Sequence, residues 1–247
     1  MKSLFKNSSC VLRLLFLVSL IILLIEGSAA KGQTLPPDVG IVTQLSGGAT
    51  YWNESYQRTP EKAEAFMKIR RGDSFKIPAG GAIQLVYFEN GRQETWKGPA
   101  SFMVGDEQSR VEKGKELPGQ PGVVMLSNEA SQGMRRIPVL LRRARLSRSG
   151  GGVTVRGVPG ASAKPVAPTK EEKAEIAMAK ETYQKLRKQA KADDITPELT
   201  LLGVLADYEQ HEEMERLIKD AMKVQPDNQV LKELDEWVRT QKRSPQK

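Results

Sequence analysis

The side chains that most often carry out chemistry in proteins are scarce in this chain of 247 residues. It has one cysteine, Cys10, and one histidine, His211. A disulfide or a zinc site built from cysteine and histidine needs more of these residues than the chain has. His211 also lies in a charged stretch, which suits a solvated or capping histidine better than a catalytic base. We therefore expect no metal site, no cofactor and no enzymatic activity.

Paired carboxylates are the remaining route to catalysis, because two of them can cleave a glycosidic bond. Glu89 and Glu94 flank a predicted turn and are expected to point to solvent. No acidic residue stands in a setting that marks it as a catalyst. A hydrolase of the cell envelope is therefore kept as an alternative, and non-catalytic binding is the favoured function.

Arginine is the residue type that the sequence concentrates. Residues 133–168 carry 8 basic and no acidic side chains, whereas residues 31–132 carry 12 of each. A basic strip of this kind attracts anionic lipid, acidic polysaccharide or an acidic protein, and the alternative is a solvated strand edge that resists aggregation. The candidate binding residues are Arg135, Arg136, Arg142, Arg143, Arg145 and Arg148.

Three aromatic residues form a second candidate site. Trp52, Tyr87 and Trp96 could build a platform for sugar rings or for a partner, with Trp52 and Trp96 as the binding candidates. The alternative is that they pack in a core or across strands, as such residues more often do.

The first 30 residues predict the compartment. Basic residues precede the apolar run 14–25, and small residues end at Ala30, which is typical of a signal peptide. We expect cleavage after Ala30 and export to the periplasm, with an uncleaved inner-membrane anchor over residues 11–30 as the alternative. Export argues against nucleic acid as a partner and favours a protein partner, while the oligomeric state stays open.

Residues 31–132 indicate a small all-β domain, either a sandwich or a coiled β-stack. Short extended runs alternate with glycine, proline and asparagine, and Asn90-Gly91 between two runs is a strong hairpin signal. The predicted strands are 39–45, 49–53, 74–77, 83–88, 92–96 and 101–104.

Five stretches of this region resemble the periplasmic domain of FecR-like proteins: residues 40–42, 47–49, 71–75, 81–88 and 90–92. The resemblance covers about 70 residues and implies an envelope protein with a β domain. FecR itself is a transmembrane regulator whose cytoplasmic segment acts on a sigma factor. Only about ten residues precede the apolar run here, so that regulatory activity is not carried over.

The middle of the chain is less regular. Val123–Leu126 and Ile137–Leu141 are short apolar runs that predict further strands, and Pro138 suits an edge strand. Glycine and proline dominate the residues that follow. We therefore expect residues 133–168 to be a basic strand and a Gly/Pro linker.

Residues 169–247 change to a helical period and predict four amphipathic helices. Thr169 and Glu172 form a capping box, and Pro197 suits the first turn of the second helix. Trp237 of the fourth helix is expected to be buried against Leu217 or Ala221 of the third.

Part of this helical region resembles a tetratricopeptide repeat, through Leu202-Gly203, Ala221 and Pro226. One and a half to two repeats are fewer than a free-standing solenoid needs, so the module must pack on the β domain or on a second copy. The sequence thus predicts an α+β protein of two domains. Its function is that of an exported binding or scaffolding module, with a membrane-anchored FecR-like sensor as an alternative.

Overall fold

The computed structural model describes residues 35–111, 119–149 and 168–243, with side chains in the first long helix described up to Ser147. The predicted signal peptide and most of the Gly/Pro segment after residue 149 lie outside these ranges. The described residues from Pro36 onward belong to one compact unit.

Ten strands form two antiparallel sheets of five. The inner sheet has the order β10-β7-β6-β1-β4, and the outer sheet has the order β3-β2-β5-β8-β9. The strands are β1 (Asp38–Ser46), β2 (Thr50–Asn53), β3 (Gln57–Lys62), β4 (Lys68–Arg70), β5 (Ser74–Ile77), β6 (Ala82–Tyr87), β7 (Arg92–Lys97), β8 (Ala100–Val104), β9 (Ser109–Val111) and β10 (Gly122–Met125).

The two sheets share a core, as in a β-sandwich. Phe75 of the outer sheet stacks on Phe102 with ring centroids 5.4 Å apart, and Phe102 stacks on Trp96 of the inner sheet at 4.5 Å. Helices cover the other face of the inner sheet, where Val86 and Ile41 join the helical core. Because β6 is therefore buried on both faces, its sequence is a nearly continuous apolar run instead of an alternating one.

The predicted hairpin at Asn90-Gly91 is confirmed. Val86 of β6 pairs with Gln93 of β7, and Gly91 has a positive φ of 66°. The Asn90 Oδ1 atom accepts a hydrogen bond from the backbone N–H of Arg92 at 3.0 Å, which closes the turn locally.

Replacing Gly91 by Val should lower the free energy of unfolding by about 1–3 kcal/mol, because a β-branched residue is strained at positive φ. A Cβ at this position would also lie 2.7 Å from the carbonyl oxygen of Leu126. Gly80→Val is the control, since Gly80 has a φ of 78° but a Cβ added there would have no atom within 4 Å. Urea unfolding should show a larger loss for Gly91→Val, and an unchanged midpoint would contradict this account of the turn.

The strand predicted over Ile137–Leu141 is wrong, because these residues lie in the helix α1 (Asn128–Ser149). Pro138 lies inside this helix. The buried apolar positions recur with helical spacing over nearly four turns and form one stripe on the inner face. They are Ala130, Met134, Ile137, Leu140, Leu141 and Ala144.

The four helices predicted after residue 168 are confirmed: α2 (Lys170–Gln189), α3 (Thr196–Asp207), α4 (His211–Val224) and α5 (Gln229–Arg243). The capping box is present, with the Thr169 N–H donating to Glu172 at 2.7 Å and the Glu172 N–H donating to Thr169 Oγ1 at 3.2 Å. No helix in the described parts of the chain is both long and apolar enough to cross a bilayer.

Helix α1 packs chiefly along α3, where two glycines meet. A Cβ on Gly203 would lie 2.2 Å from the carbonyl oxygen of Gly133, and a Cβ on Gly133 would lie 2.5 Å from that of Thr200. The two backbones therefore touch directly, which only glycine permits at these positions. This contact places α1 in the same layer as the helices that follow residue 168.

Trp237 packs against the core but is only partly buried, so the prediction overestimated how much of its side chain is buried. The buried stripe of α5 runs through Leu231, Leu234 and Val238, which leaves Trp237 at the margin of the core. Its ring meets His211 edge-on with centroids 6.2 Å apart, and burial lowers the pKa of His211.

Candidate functional site

The six candidate arginines do not form one strip. Arg135 donates to the carbonyl oxygen of Phe88 at 2.8 Å and to Glu89 at 3.0 Å, so it joins α1 to the inner sheet. Arg136 contacts Glu175 of α2 at 2.8 Å and Asp207 of α3 at 3.3 Å. These two arginines therefore hold structural elements together, which corrects the prediction that they belong to a continuous binding surface.

The contacts around Arg136 also shift the pKa values of two side chains, Glu175 and Tyr208. The Tyr208 hydroxyl donates to Glu175, and this hydrogen bond lowers the pKa of Glu175, with Arg136 adding to the effect. The same hydrogen bond raises the pKa of Tyr208 to about 12. Glu175 thus stays ionised and bridges three elements: α1, α2 and the end of α3.

The later arginines lie on the C-terminal half of α1. Arg142, Arg143 and Arg145 are exposed, and the side chain of Arg148 lies outside the described atoms. Arg142 and Arg145 line a shallow cavity of about 450 Å³ together with Tyr56, Lys68 and Arg70. Asp38 accepts hydrogen bonds from both Lys68 and Arg70, so part of this positive charge is already balanced.

The predicted aromatic platform is not formed. Trp96 is 2% exposed in the core between the sheets, and its indole N–H donates to Glu94 at 3.0 Å. Trp52 is half-buried on β2 of the other sheet. Trp96 is therefore a core residue, in line with the alternative considered for it, and it shares no surface with Trp52.

Glu94 does not point to solvent, which is a further correction. Its carboxylate is fully buried, contacts Arg92 at 2.6 Å, and accepts from the backbone N–H of Ser109 at 3.2 Å as well as from Trp96. Buried carboxylates need such partners. Glu94 thus joins the inner sheet to β9 and is not placed in an open site.

A cleft of about 740 Å³ lies where one end of the inner sheet meets the α2–α3 connection. β1, β6, β7 and β10 form its floor, and residues 186–197 form its opposite wall. The lining combines amides, hydroxyls and apolar groups with few charges. Its principal members are Gln44, Gln84, Gln93, Thr95, Val124, Met125, Leu186, Asp194 and Thr196.

A polar network crosses this cleft from sheet to helix. Asp194, which is 8% exposed, accepts from the side-chain amides of Gln84 at 3.2 Å and Gln93 at 2.9 Å. Its other oxygen accepts from the Thr196 N–H at 2.9 Å at the start of α3. Thr43 donates in turn to Gln84 at 2.8 Å. The sheet and the start of α3 are thereby fixed to each other at this point.

Arg187 of α2 holds the same connection from the helical side. Its guanidinium donates to the carbonyl oxygen of Asp194 at 2.7 Å and contacts the buried Glu198 at 3.1 Å. The wall of the cleft is therefore set by hydrogen bonds on both of its sides.

One hydroxyl group of the cleft lining is not satisfied by a hydrogen bond within the described structure. Thr196 Oγ1 is buried, belongs to the cleft lining, and has no hydrogen-bond partner among the described residues. A buried hydroxyl without a partner costs free energy. The hydroxyl thus belongs to a residue of the cleft wall and has unused hydrogen-bonding capacity.

β10 forms the open border of this cleft. It is an edge strand that pairs only with β7, and three consecutive apolar side chains are exposed on it: Val123 by 41%, Val124 by 56% and Met125 by 59%. Val124 pairs with Gln93, so both side chains lie on the cleft face of the sheet.

The sequence held only indirect signals of this site. Gln84 stands out as the single amide within the apolar run of β6, and the pair Asp193-Asp194 suggested only the end of a helix. Gln84 and Asp194 are 110 positions apart, so their contact has no local signature. In residues 35–111, 119–149 and 168–243, no three histidine, cysteine, aspartate or glutamate side chains are placed to hold a metal ion.

Comparison of the chain with protein-family models, with curated proteins and with solved structures gives no significant match.

Proposed function

We propose that this protein is a non-catalytic binding module that holds a segment of a partner protein in the cleft between the inner sheet and the α2–α3 connection. The observation that carries the proposal is a large cleft with a fixed amide and carboxylate wall and an unsatisfied buried hydroxyl, bordered by an exposed apolar strand. Such a mixture of apolar lining and a few placed polar groups is typical of binding sites.

A peptide fits this lining better than a sugar does. Amide side chains such as Gln44 match the donors and acceptors of a peptide backbone. The described lining contains no aromatic ring on which a sugar could stack. Both oxygens of Asp194 are engaged by protein donors, which favours a positioning role over an acid–base role.

A direct test uses peptides selected from a random decapeptide display library on the purified protein. Thr95 lies half-buried in the cleft, so the larger side chain of Thr95→Trp should obstruct it and abolish binding of the selected peptides. Thr59→Trp is the matched control, because Thr59 is exposed on β3 of the outer sheet. Failure to select any peptide, or equal binding by both variants, would refute the cleft as the site. Assay of the purified protein against glycan substrates would reveal the alternative, an envelope hydrolase.

The proposed setting is the bacterial envelope. We propose that the β part is a FecR-like domain, that α2–α5 form a tetratricopeptide-like module packed against it, and that the leader directs the chain to the periplasm. The alternative is a FecR-like sensor anchored by residues 11–30. Mass spectrometry of the N-terminus after expression in a Gram-negative host distinguishes the two: a chain beginning at Lys31 supports export with cleavage, and an intact N-terminus in the membrane fraction supports the anchor.

Binding to anionic surfaces is a separate prediction that concerns the end of α1. Changing Arg142, Arg143 and Arg145 together to Gln should weaken salt-sensitive binding to vesicles that contain anionic lipid, because such attraction acts over about 8 Å at physiological ionic strength. A control with the same loss of charge is Lys170, Arg216 and Lys232 to Gln, three positions elsewhere on the helices. Equal binding by both triple variants would leave these arginines as solvated surface.

A further inference from the structure

The edge of β10 differs from the other three sheet edges. Residues 119–128, which include β10, carry no charged side chain, and their one proline, Pro121, precedes the strand. Proteins commonly protect exposed edges with charges or proline. β3 contains Arg58, Pro60 and Glu61, β4 carries Lys68 and Arg70, and β9 carries Arg110. Among the edges of the two described sheets, only β10 combines exposed apolar side chains with an absence of charge.

The direction of its backbone groups follows from one hydrogen bond. The Leu126 N–H donates to the carbonyl oxygen of Gly91 at 2.9 Å, on the side of β7. Because main-chain groups alternate along an antiparallel strand, those of Val124 also face β7. The N–H and C=O groups of Val123 and Met125 therefore face the open edge, where no strand among the described residues pairs with them.

We infer that an extended, uncharged segment of a partner protein adds to β10 as a sixth strand of the inner sheet, antiparallel or parallel, and pairs with the outward groups of Val123 and Met125. This rests on the proposed function, since every second side chain of the added strand would point to the cleft face shared by Val124 and Gln93. Strand addition draws affinity from main-chain hydrogen bonds and specificity from pockets for alternate side chains.

The size of the edge favours a peptide segment over a second copy of the chain. A strand of four residues is about 14 Å long. Pairing of two such strands cannot approach the roughly 800 Å² per partner that a stable interface buries. A peptide segment needs less area, because it can combine the edge with the adjoining cleft of about 740 Å³.

The test uses the peptides selected from the decapeptide library. Met125→Pro removes an outward N–H and should weaken their binding roughly two- to tenfold, the usual effect of one lost hydrogen bond. The fold should survive, because proline is tolerated where the N–H faces solvent. Val111→Pro, at the outer edge of β9, is the matched control and should bind normally. N-methylation at alternate peptide positions should reproduce the loss without changing the protein.

Hydrogen exchange gives a second readout on the unaltered chain. Peptide binding should slow exchange of the Val123 and Met125 amides. One outcome would refute strand addition and keep the cleft as the site. In that outcome Thr95→Trp loses peptide binding, Met125→Pro binds with full affinity, and peptide binding slows exchange at neither amide. If no peptide is selected, the proposed function fails and the inference fails with it. Strand addition by a partner protein would also be wrong if the protein formed a concentration-dependent dimer that Met125→Pro abolished. The strand added to β10 would then come from a second copy of the chain.

Discussion

Replacing Gly203 by alanine should lower the free energy of unfolding by about 3 kcal/mol or more, the upper end of the usual cost of overpacking. The added Cβ would lie 2.2 Å from the carbonyl oxygen of Gly133 and 3.2 Å from the Cβ of Arg136. The nearest obstacle is backbone, which cannot rotate away as a side chain can. Relief requires α1 and α3 to separate, and this would disturb the apolar stripe of α1 along its length.

Gly122→Ala is the control for Gly203→Ala, because its new Cβ meets nothing closer than 3.9 Å. Urea unfolding of the two variants measures the difference in their free energies of unfolding. Alanine has a better helix propensity than glycine, which slightly reduces the predicted loss of stability at position 203. Equal stability of Gly203→Ala and Gly122→Ala would show that α1 and α3 do not approach as closely as described.

Replacing Asp194 by alanine should cost about 3 kcal/mol of unfolding free energy and should also abolish peptide binding in the cleft. The change leaves the buried amides of Gln84 and Gln93 without their acceptor, and each unsatisfied buried donor costs roughly 1–3 kcal/mol. The start of α3 also loses the carboxylate that accepts the Thr196 N–H.

Asp193→Ala is the matched control for Asp194→Ala, since Asp193 is the exposed neighbour of the same type. Asp194→Asn should lie between them, because it keeps an acceptor for the Thr196 N–H but directs an amide donor at two other donors. If Asp193→Ala and Asp194→Ala unfold at the same urea concentration, the network is not a source of stability.

Local signals predicted the parts of the fold that depend on neighbouring residues. The Asn90-Gly91 turn, the capping box at Thr169 and the four C-terminal helices were all visible in short windows of sequence, and all are confirmed. Three strands were missed, β3, β4 and β9, because they are short and mostly polar or exposed.

The error at α1 has a different cause. Val139-Leu140-Leu141 next to Pro138 resembles an edge strand when it is read over five residues. The helical period emerges only over the nearly four turns from Ala130 to Ala144, where the buried positions recur every three or four residues. A longer window would have favoured the helix, although a proline inside it argues against helix locally.

The candidate site was beyond prediction for a physical reason. Glu94 looked solvent-facing because charged residues usually are, yet its carboxylate is satisfied by Trp96 and by the Ser109 backbone, 15 positions away. The partners of Asp194 are separated from it by 101 and 110 positions. Such contacts arise from the packing of the sheet against the helices, which no local pattern encodes.

Because α1 packs on α3, the segment between residues 149 and 170 connects two helices of one layer and not a β domain with a helical one. Both α1 before it and α2 after it belong to the layer that covers the inner sheet, so the two helices that the segment joins lie in the same layer. Where the connection between two elements is flexible, its closure entropy grows only with the logarithm of its length, and doubling the length costs roughly 0.6 kcal/mol. We therefore expect a reporter domain inserted between α1 and α2 to cause little loss of stability and to leave the cleft and the β10 edge intact.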